Sequence, residues 1–273
     1  MRYEPKLPEH NDNVSHEKPA REFLTILVGF LVVAAILFWV LGLLVDVAVD
    51  HMSPSTEARI NEAVAFKWEQ EKPYAPEKQA MLQKMVEELR QCAGVPFKVT
   101  VHLAKSEQPN AAVFPGGHIV VFSGLLDKVG SENGLAFVMA HEFSHLKNRD
   151  HLRAMGRGLL IAGVMALLTG ADSDITQILM PVDRLGNARH SQKREMEADT
   201  TALQVLNCRY GHVGGATEFF EAMKNDERAD DKGFSHYFGS HPQVQARIDN
   251  INRLIEQAGM KRDAVALLEK NSN

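Results

Sequence analysis

Residues 131–148 read SENGLAFVMAHEFSHLKN. Leu135, Val138, Met139, Phe143 and Leu146 recur at spacings of three and four, the repeat of one helix face, so the stretch is expected to be a helix with an apolar side. Inside it stands HEFSH, His141 to His145. Residues four apart on a helix project from the same face one turn apart, so both imidazoles can reach one metal ion at about 2.0–2.1 Å. Glu142 falls beside them, where a carboxylate can take a proton from a zinc-activated water and later deliver it to a leaving amine. That is the chemistry of peptide hydrolysis.

A catalytic zinc takes three protein ligands and keeps a fourth position open. Residues 195–199 read EMEAD. Glu195 and Asp199 are again four apart, so the first can bind metal while the second orients a ligand imidazole from behind. Glu197 points about 160 degrees away from Glu195 at 100 degrees per residue, which makes it the weaker ligand. Taken alone, RHSQKREMEAD (189–199) has the composition of a solvated charged face, and only its pairing with HEFSH turns it into a ligand source. His102, His118, His151, His190, His212 and His236 repeat no ligand spacing with a matching carboxylate and are read as ordinary histidines.

Outward from this centre the chain alternates short elements. Residues 55–71 and 76–92 are expected to be helical, the second with Leu82, Met85, Val86 and Leu89 at helix spacing and Gly94 as its stop. FKVTVHL (97–103) alternates as a strand does. Asn110 to Phe122 reads as two extended pieces hinged at Pro115-Gly116-Gly117. Gly158 to Ala171 is apolar without interruption but too short to cross a bilayer, and a core or interfacial hairpin is expected there. Helices are expected again over 189–206 and around Val244, Ile248, Ile251 and Ile255, the last opened by Pro242.

Before the soluble part lies FLTILVGFLVVAAILFWVLGLLVDVAV (23–49), uncharged from Phe23 through Val45. About 20 apolar residues suffice to span a membrane as a helix, whereas a signal peptide has an apolar stretch of roughly 7–15 and a small-residue cleavage site. An uncleaved anchor is expected. The preceding tail carries Arg2, Lys6, Lys18 and Arg21, while Arg59 and Lys67 are the first basic residues after the span. The positive-inside rule then places the N-terminus in the cytoplasm and the soluble part outside it, most simply in a bacterial periplasm.

The composition excludes other classes. A net charge of -5 over 273 residues gives no basic surplus for phosphate, so nucleic acid is set aside. Two cysteines, Cys92 and Cys208, cannot build a disulfide framework or a four-thiolate metal site; one optional bridge is the most they permit, and they are read as ordinary buried thiols.

These motifs together resemble the membrane-associated zinc metallopeptidases of the HtpX, CAAX prenyl endopeptidase and BepA type, metallopeptidase family forty-eight. The resemblance rests on NAAVFPGGHIVVFSGLLD (110–127), AHEFSHLKNRDH (140–151), SQKREMEAD (191–199) and the element from Ser240-His241-Pro242 to Arg247-Ile248. It implies His141, His145 and Glu195 as ligands of one zinc and Glu142 as general base, the same four residues that the spacing selects. One departure is Gln192, where relatives often carry an Arg three residues before the ligand Glu. His241 has two functional readings under the resemblance, an oxyanion stabiliser or a removable block on the open zinc position, beside a bland one in which it precedes Pro242 and caps a helix.

The expected architecture is therefore α+β and mostly helical: a zincin-like metallopeptidase domain with a small β-sheet behind one transmembrane helix. Its segments are a tail (1–22), an anchor (23–49), the peptidase domain (55–258) and a C-terminal tail (259–273). The expected function is a membrane-anchored zinc metalloendopeptidase in protein quality control, acting on misfolded or membrane-proximal protein and held to the bilayer by residues 23–49. The alternatives are a zinc-fold chaperone or assembly scaffold, and another zinc hydrolase such as a cell-wall amidase.

Overall fold

The computed structural model describes residues 19–63, 74–169, 192–224 and 244–268. It divides into two units, residues 1–47 and residues 48–273. The first is the helix α1, Pro19–Asp50, up to Val47. Its side chains are exposed along nearly the whole length, and it is apolar and long enough to cross a membrane.

The second unit begins with the last turn of α1 and continues through α2 (Pro54–Ala63) and α3 (Pro76–Ala93). Three strands follow, β1 (Thr100–Ala104), β2 (Ala111–Phe114) and β3 (His118–Phe122), in the order β1-β3-β2. β3 runs parallel to β1 and antiparallel to β2. The hairpin falls where Pro115-Gly116-Gly117 predicts it. Both glycines have positive φ, and a Cβ on Gly117 would lie 2.7 Å from the Lys98 carbonyl, so the turn tolerates no side chain there.

Helices α4 (Ser123–Lys128), α5 (Glu132–Lys147) and α6 (Asp150–Thr169) follow, then α7 (Gln192–Tyr210), α8 (Glu218–Lys224) and α9 (Val244–Gln257). α5 is the axis of the core. Its periodicity predicts one apolar face, yet every residue from Asn133 to Leu146 is buried. The helix is sandwiched among α3, α7 and β2, so its second face, which carries His141, Glu142 and His145, is enclosed by protein.

The start of α5 is fastened with unusual care. Ser131 caps it, accepting from the Gly134 N–H at 3.0 Å, and the Glu218 carboxylate of α8 accepts from the Ser131 N–H at 2.9 Å and from its hydroxyl. A Cβ on Gly134 would fall 2.8 Å from that carboxylate, so only glycine admits the brace. Farther along, the Glu132 and Leu268 N–H groups donate to the Ala266 and Gly130 carbonyls, tying residues 266–268 to the same corner.

Two expectations change. Cys92 and Cys208 are a disulfide rather than a pair of thiols. Because α3 and α7 pack side by side, the two Cα atoms come within 5.8 Å across 116 residues of chain, a proximity no local pattern encodes. Residues 158–169 form the second half of α6 rather than a hairpin, since Gly158 and Gly163 are carried within a continuous helix and no turn signal interrupts them. Residues 64–71, 170–171 and 189–191 of the expected elements, and Pro242, lie outside the described residues.

Candidate metal centre

Two helices supply the donors from their buried faces. His141 and His145 lie on the enclosed face of α5, and Glu195 sits in the first turn of α7, which packs along it. Nε2 of His141 and Nε2 of His145 are 3.0 Å apart, and each lies 3.4 Å from an oxygen of Glu195. All three side chains are almost wholly removed from solvent.

The spacing can be tested against a metal. Ligand atoms about 2.0–2.1 Å from a tetrahedral zinc are separated by about 3.4 Å, the edge of that tetrahedron. The three observed edges, 3.0, 3.4 and 3.4 Å, match it, and two imidazoles plus one carboxylate are a donor set zinc accepts. The residues fit the ion.

Each imidazole is oriented from behind. Asp199 lies 3.0 Å from Nδ1 of His141 and Asp150 lies 2.9 Å from Nδ1 of His145, so both rings turn Nε2 toward Glu195. The Asp199 contact is what its place four residues after Glu195 predicts. Asp150 belongs to the next helix, α6, and is bound in turn by Arg194 at 2.7 Å.

Electrostatics follow from this arrangement. Burial works against a charge on Asp199, but Arg247 and His141 outweigh it and hold its carboxyl below the usual range. Burial likewise opposes a proton on His145, yet Asp150 and Glu195 raise its pKa to about 10. A metal entering the site therefore displaces a proton from His145, so binding is tied to pH.

Arg247 completes the centre. Its guanidinium holds both oxygens of Asp199, Nη2 to Oδ1 at 2.6 Å and Nε to Oδ2 at 2.9 Å, and Nη1 lies 2.8 Å from Glu195. It stacks over the Phe220 ring at 4.5 Å. The sequence places Arg247 in a recognised element without giving it a task. A signal for one exists: Arg247 lies on the same face of α9 as Val244, Ile248 and Ile251, and a charge on a buried face needs a partner. Glu142 is buried on α5, next to His141 in the chain. His241 lies outside the described residues, as do His190 and His236.

The model of peptidase family M48 matches residues 76–255, about two thirds of the chain. Among curated proteins the chain is 28% identical to the mitochondrial metalloendopeptidase OMA1 of Saccharomyces cerevisiae over 171 residues, covering 60% of this chain and 49% of that protein. It is 29% identical to a protease HtpX homolog of Caldanaerobacter subterraneus over 230 residues, covering 67% of this chain and 74% of that protein. A protease HtpX homolog of Persephonella marina is 37% identical over 165 residues, with 51% and 55% covered. Against the OMA1 proteins of both yeasts the chain spans about half the length of the relative.

Proposed function

The chain belongs to peptidase family M48, and from that membership and the geometry of its buried centre we propose that it is a zinc metalloendopeptidase anchored in a membrane by α1 and active in protein quality control. The observation that carries the reading is the convergence of His141, His145 and Glu195 with Glu142 beside them. One zinc per chain is assigned to the three donors, where it would supply a Lewis acid and an activated water.

The chain's own residues do the rest. Asp199 and Asp150 hold the imidazoles in register. Arg247 balances the negative charge of Glu195 and Asp199, so the buried carboxylates do not repel one another. Glu142 takes the proton of the attacking water and passes it to the nitrogen of the departing amine. A structural zinc fills its shell with Cys or His and has no use for such a carboxylate, which favours catalysis over a scaffold.

Substrates are read as misfolded or membrane-proximal proteins. β2 stands at one edge of the sheet, and an extended peptide added there would gain backbone hydrogen bonds without sequence preference. His241 is assigned a part in catalysis, as oxyanion stabiliser or removable block. Three residues on in the sequence begins the helix whose Arg247 reaches Glu195. The catalytic body is assigned to the outer side of the membrane with the N-terminus in the cytoplasm, a bacterial inner membrane facing the periplasm. The Cys92–Cys208 disulfide supports that side, because such bonds persist in oxidising compartments.

The test uses the full chain in detergent micelles, wild type beside Glu142→Gln. We expect about one zinc per chain in both and casein cleavage only in the wild type. Zinc in both without cleavage in either would point to a latent enzyme blocked by His241 or to a scaffold.

A further inference from the structure

Among the described residues Arg149 is the one non-glycine with a positive φ, 55°. It stands between α5, which carries His141 and His145, and α6, which begins with Asp150. Left-handed backbone presses Cβ against the following carbonyl, so a residue with a side chain populates it roughly tenfold less readily than glycine does.

That conformation joins the two helices without a linker. The Arg149 N–H donates to the Leu146 carbonyl at 3.1 Å and closes α5. The Arg149 carbonyl accepts from the Leu152 and Arg153 N–H groups at 3.1 and 3.2 Å and opens α6. One residue thus ends one helix and starts the next. The turn is tight enough to bring Asp150 back beside the helix it has just left, with Oδ2 2.9 Å from Nδ1 of His145.

The Arg149 side chain reaches away from the metal centre to residues 49–57, an arm that supplies none of the three donors. Its Nη1 donates to the Val49 carbonyl at 3.0 Å and to the Met52 carbonyl at 2.7 Å, and its Nε lies 3.2 Å from Oε2 of Glu57. The Glu57 carboxylate is buried, with Nε2 of His151 3.7 Å from its other oxygen. One turn along α6, Arg153 donates to the Asp50 carboxylate at 2.6 Å. Bonds from a charged fork to carbonyls and a carboxylate are stronger than neutral ones, and a strained backbone persists where such surroundings hold it.

We propose that Arg149 is a positioning residue for the metal centre: its tether to Val49, Met52 and Glu57 holds the left-handed turn that keeps Asp150 behind His145. The inference rests on the assignment of zinc to His141, His145 and Glu195. Glycine adopts such a turn without a tether, whereas arginine adopts it because the arm grips its side chain. Zinc affinity therefore depends on residues 49–57. When the arm lets go of Arg149 the turn relaxes, Asp150 leaves Nδ1, and the ring loses the acceptor that orients it.

The test measures zinc affinity of the full chain in detergent micelles by competition with a fluorescent chelator, with helix content followed by circular dichroism. Arg149→Ala is expected to bind zinc about tenfold more weakly, the low end of the range for partners behind a ligand histidine. Arg149→Gly is expected to stay within about twofold of wild type, because glycine accepts the turn unaided. In the Asp150→Ala background Arg149→Ala should add nothing, since its effect runs through that carboxylate. Glu57→Gln leaves the turn's own residues intact and serves where Arg149→Ala does not fold: it should weaken zinc about threefold with Arg149 in place and have no effect in the Arg149→Gly background. Wild-type affinity in Arg149→Ala would overturn the inference. So would equal losses in Arg149→Ala and Arg149→Gly, a loss that adds to that of Asp150→Ala, or a Glu57→Gln effect of the same size in both backgrounds, since each marks general destabilisation rather than a positioned ring. A wild-type chain that takes up no zinc removes the reading of the metal centre itself, whereas tight zinc in wild type and Arg149→Ala alike removes this inference alone.

Discussion

Asp150 lies 2.9 Å from Nδ1 of His145, in the same relation that Asp199, at 3.0 Å, bears to His141. The two histidines stand on one helix, but their orienting carboxylates come from two others, α6 and α7. With Arg247 of α9 the centre is thus held by four helices, and the ring of His145 depends on one, α6, that carries none of the three donors.

Asp150→Ala should therefore behave as a metal-site lesion. Loss of an outer carboxylate behind a ligand imidazole lowers affinity by about 10–100-fold. Competition with a fluorescent zinc chelator measures this, with circular dichroism expected to show an unchanged helix content. Zinc affinity equal to wild type would mean that the α5 backbone alone orients His145.

Arg247 carries a different kind of burden. Arg247→Met keeps much of the volume but leaves Glu195 and Asp199 as buried carboxylates with less compensation, a loss of about 3–5 kcal/mol. Urea unfolding of the full chain in detergent should show it. Arg247→Lys should recover only part, since an ammonium cannot grip both oxygens of Asp199 while reaching Glu195.

On the sheet, His102 and His118 face each other on β1 and β3 with ring nitrogens 2.8 Å apart. Burial, assisted by the neighbouring His118, lowers the His102 pKa from 6.5 to about 4. Below pH 6.5 the unfolded chain takes up a proton that the folded chain refuses, so this contribution is complete above about 6.5 and is lost as pH falls toward 4. The melting temperature of wild type relative to His102→Gln should decline over that window. A constant difference from pH 7 to pH 4 would show that the pair titrates normally.

The Cys92–Cys208 bond ties α3 to the helix that bears Glu195 and Asp199. Cys208→Ser, with Cys92→Ser to avoid a stray thiol, should lower stability by about 2–5 kcal/mol, as expected for closing a loop of this size. Urea midpoints with and without reductant test it, and the double variant should be insensitive to reductant.

What was legible in the sequence is what is local in the chain. His141 with His145, and Glu195 with Asp199, are pairs one helical turn apart, and Pro115-Gly116-Gly117 is a turn written in three adjacent residues. Asp150 is only five residues from His145 but escapes a helical wheel, because Arg149 at φ 55° turns the chain between α5 and α6. Arg247 and the cysteine pair are joined to their partners across long stretches of chain, and only packing brings them together. The burial of α5 on every side belongs to the same class. A moderately apolar helix can be enclosed when its polar face is consumed by a site, and composition alone does not distinguish that from a solvated face.

The parts of the centre also have an order in time. His141 and Arg247 are separated by 106 residues. A chain emerging from the ribosome presents both histidines and Glu142 well before Glu195, and Glu195 well before Arg247 and the 266–268 strap that closes over Ser131. For most of its synthesis the protein holds an incomplete ligand set with no counter-charge for its carboxylates. On the proposed function, competence arrives only when this last part of the fold has formed.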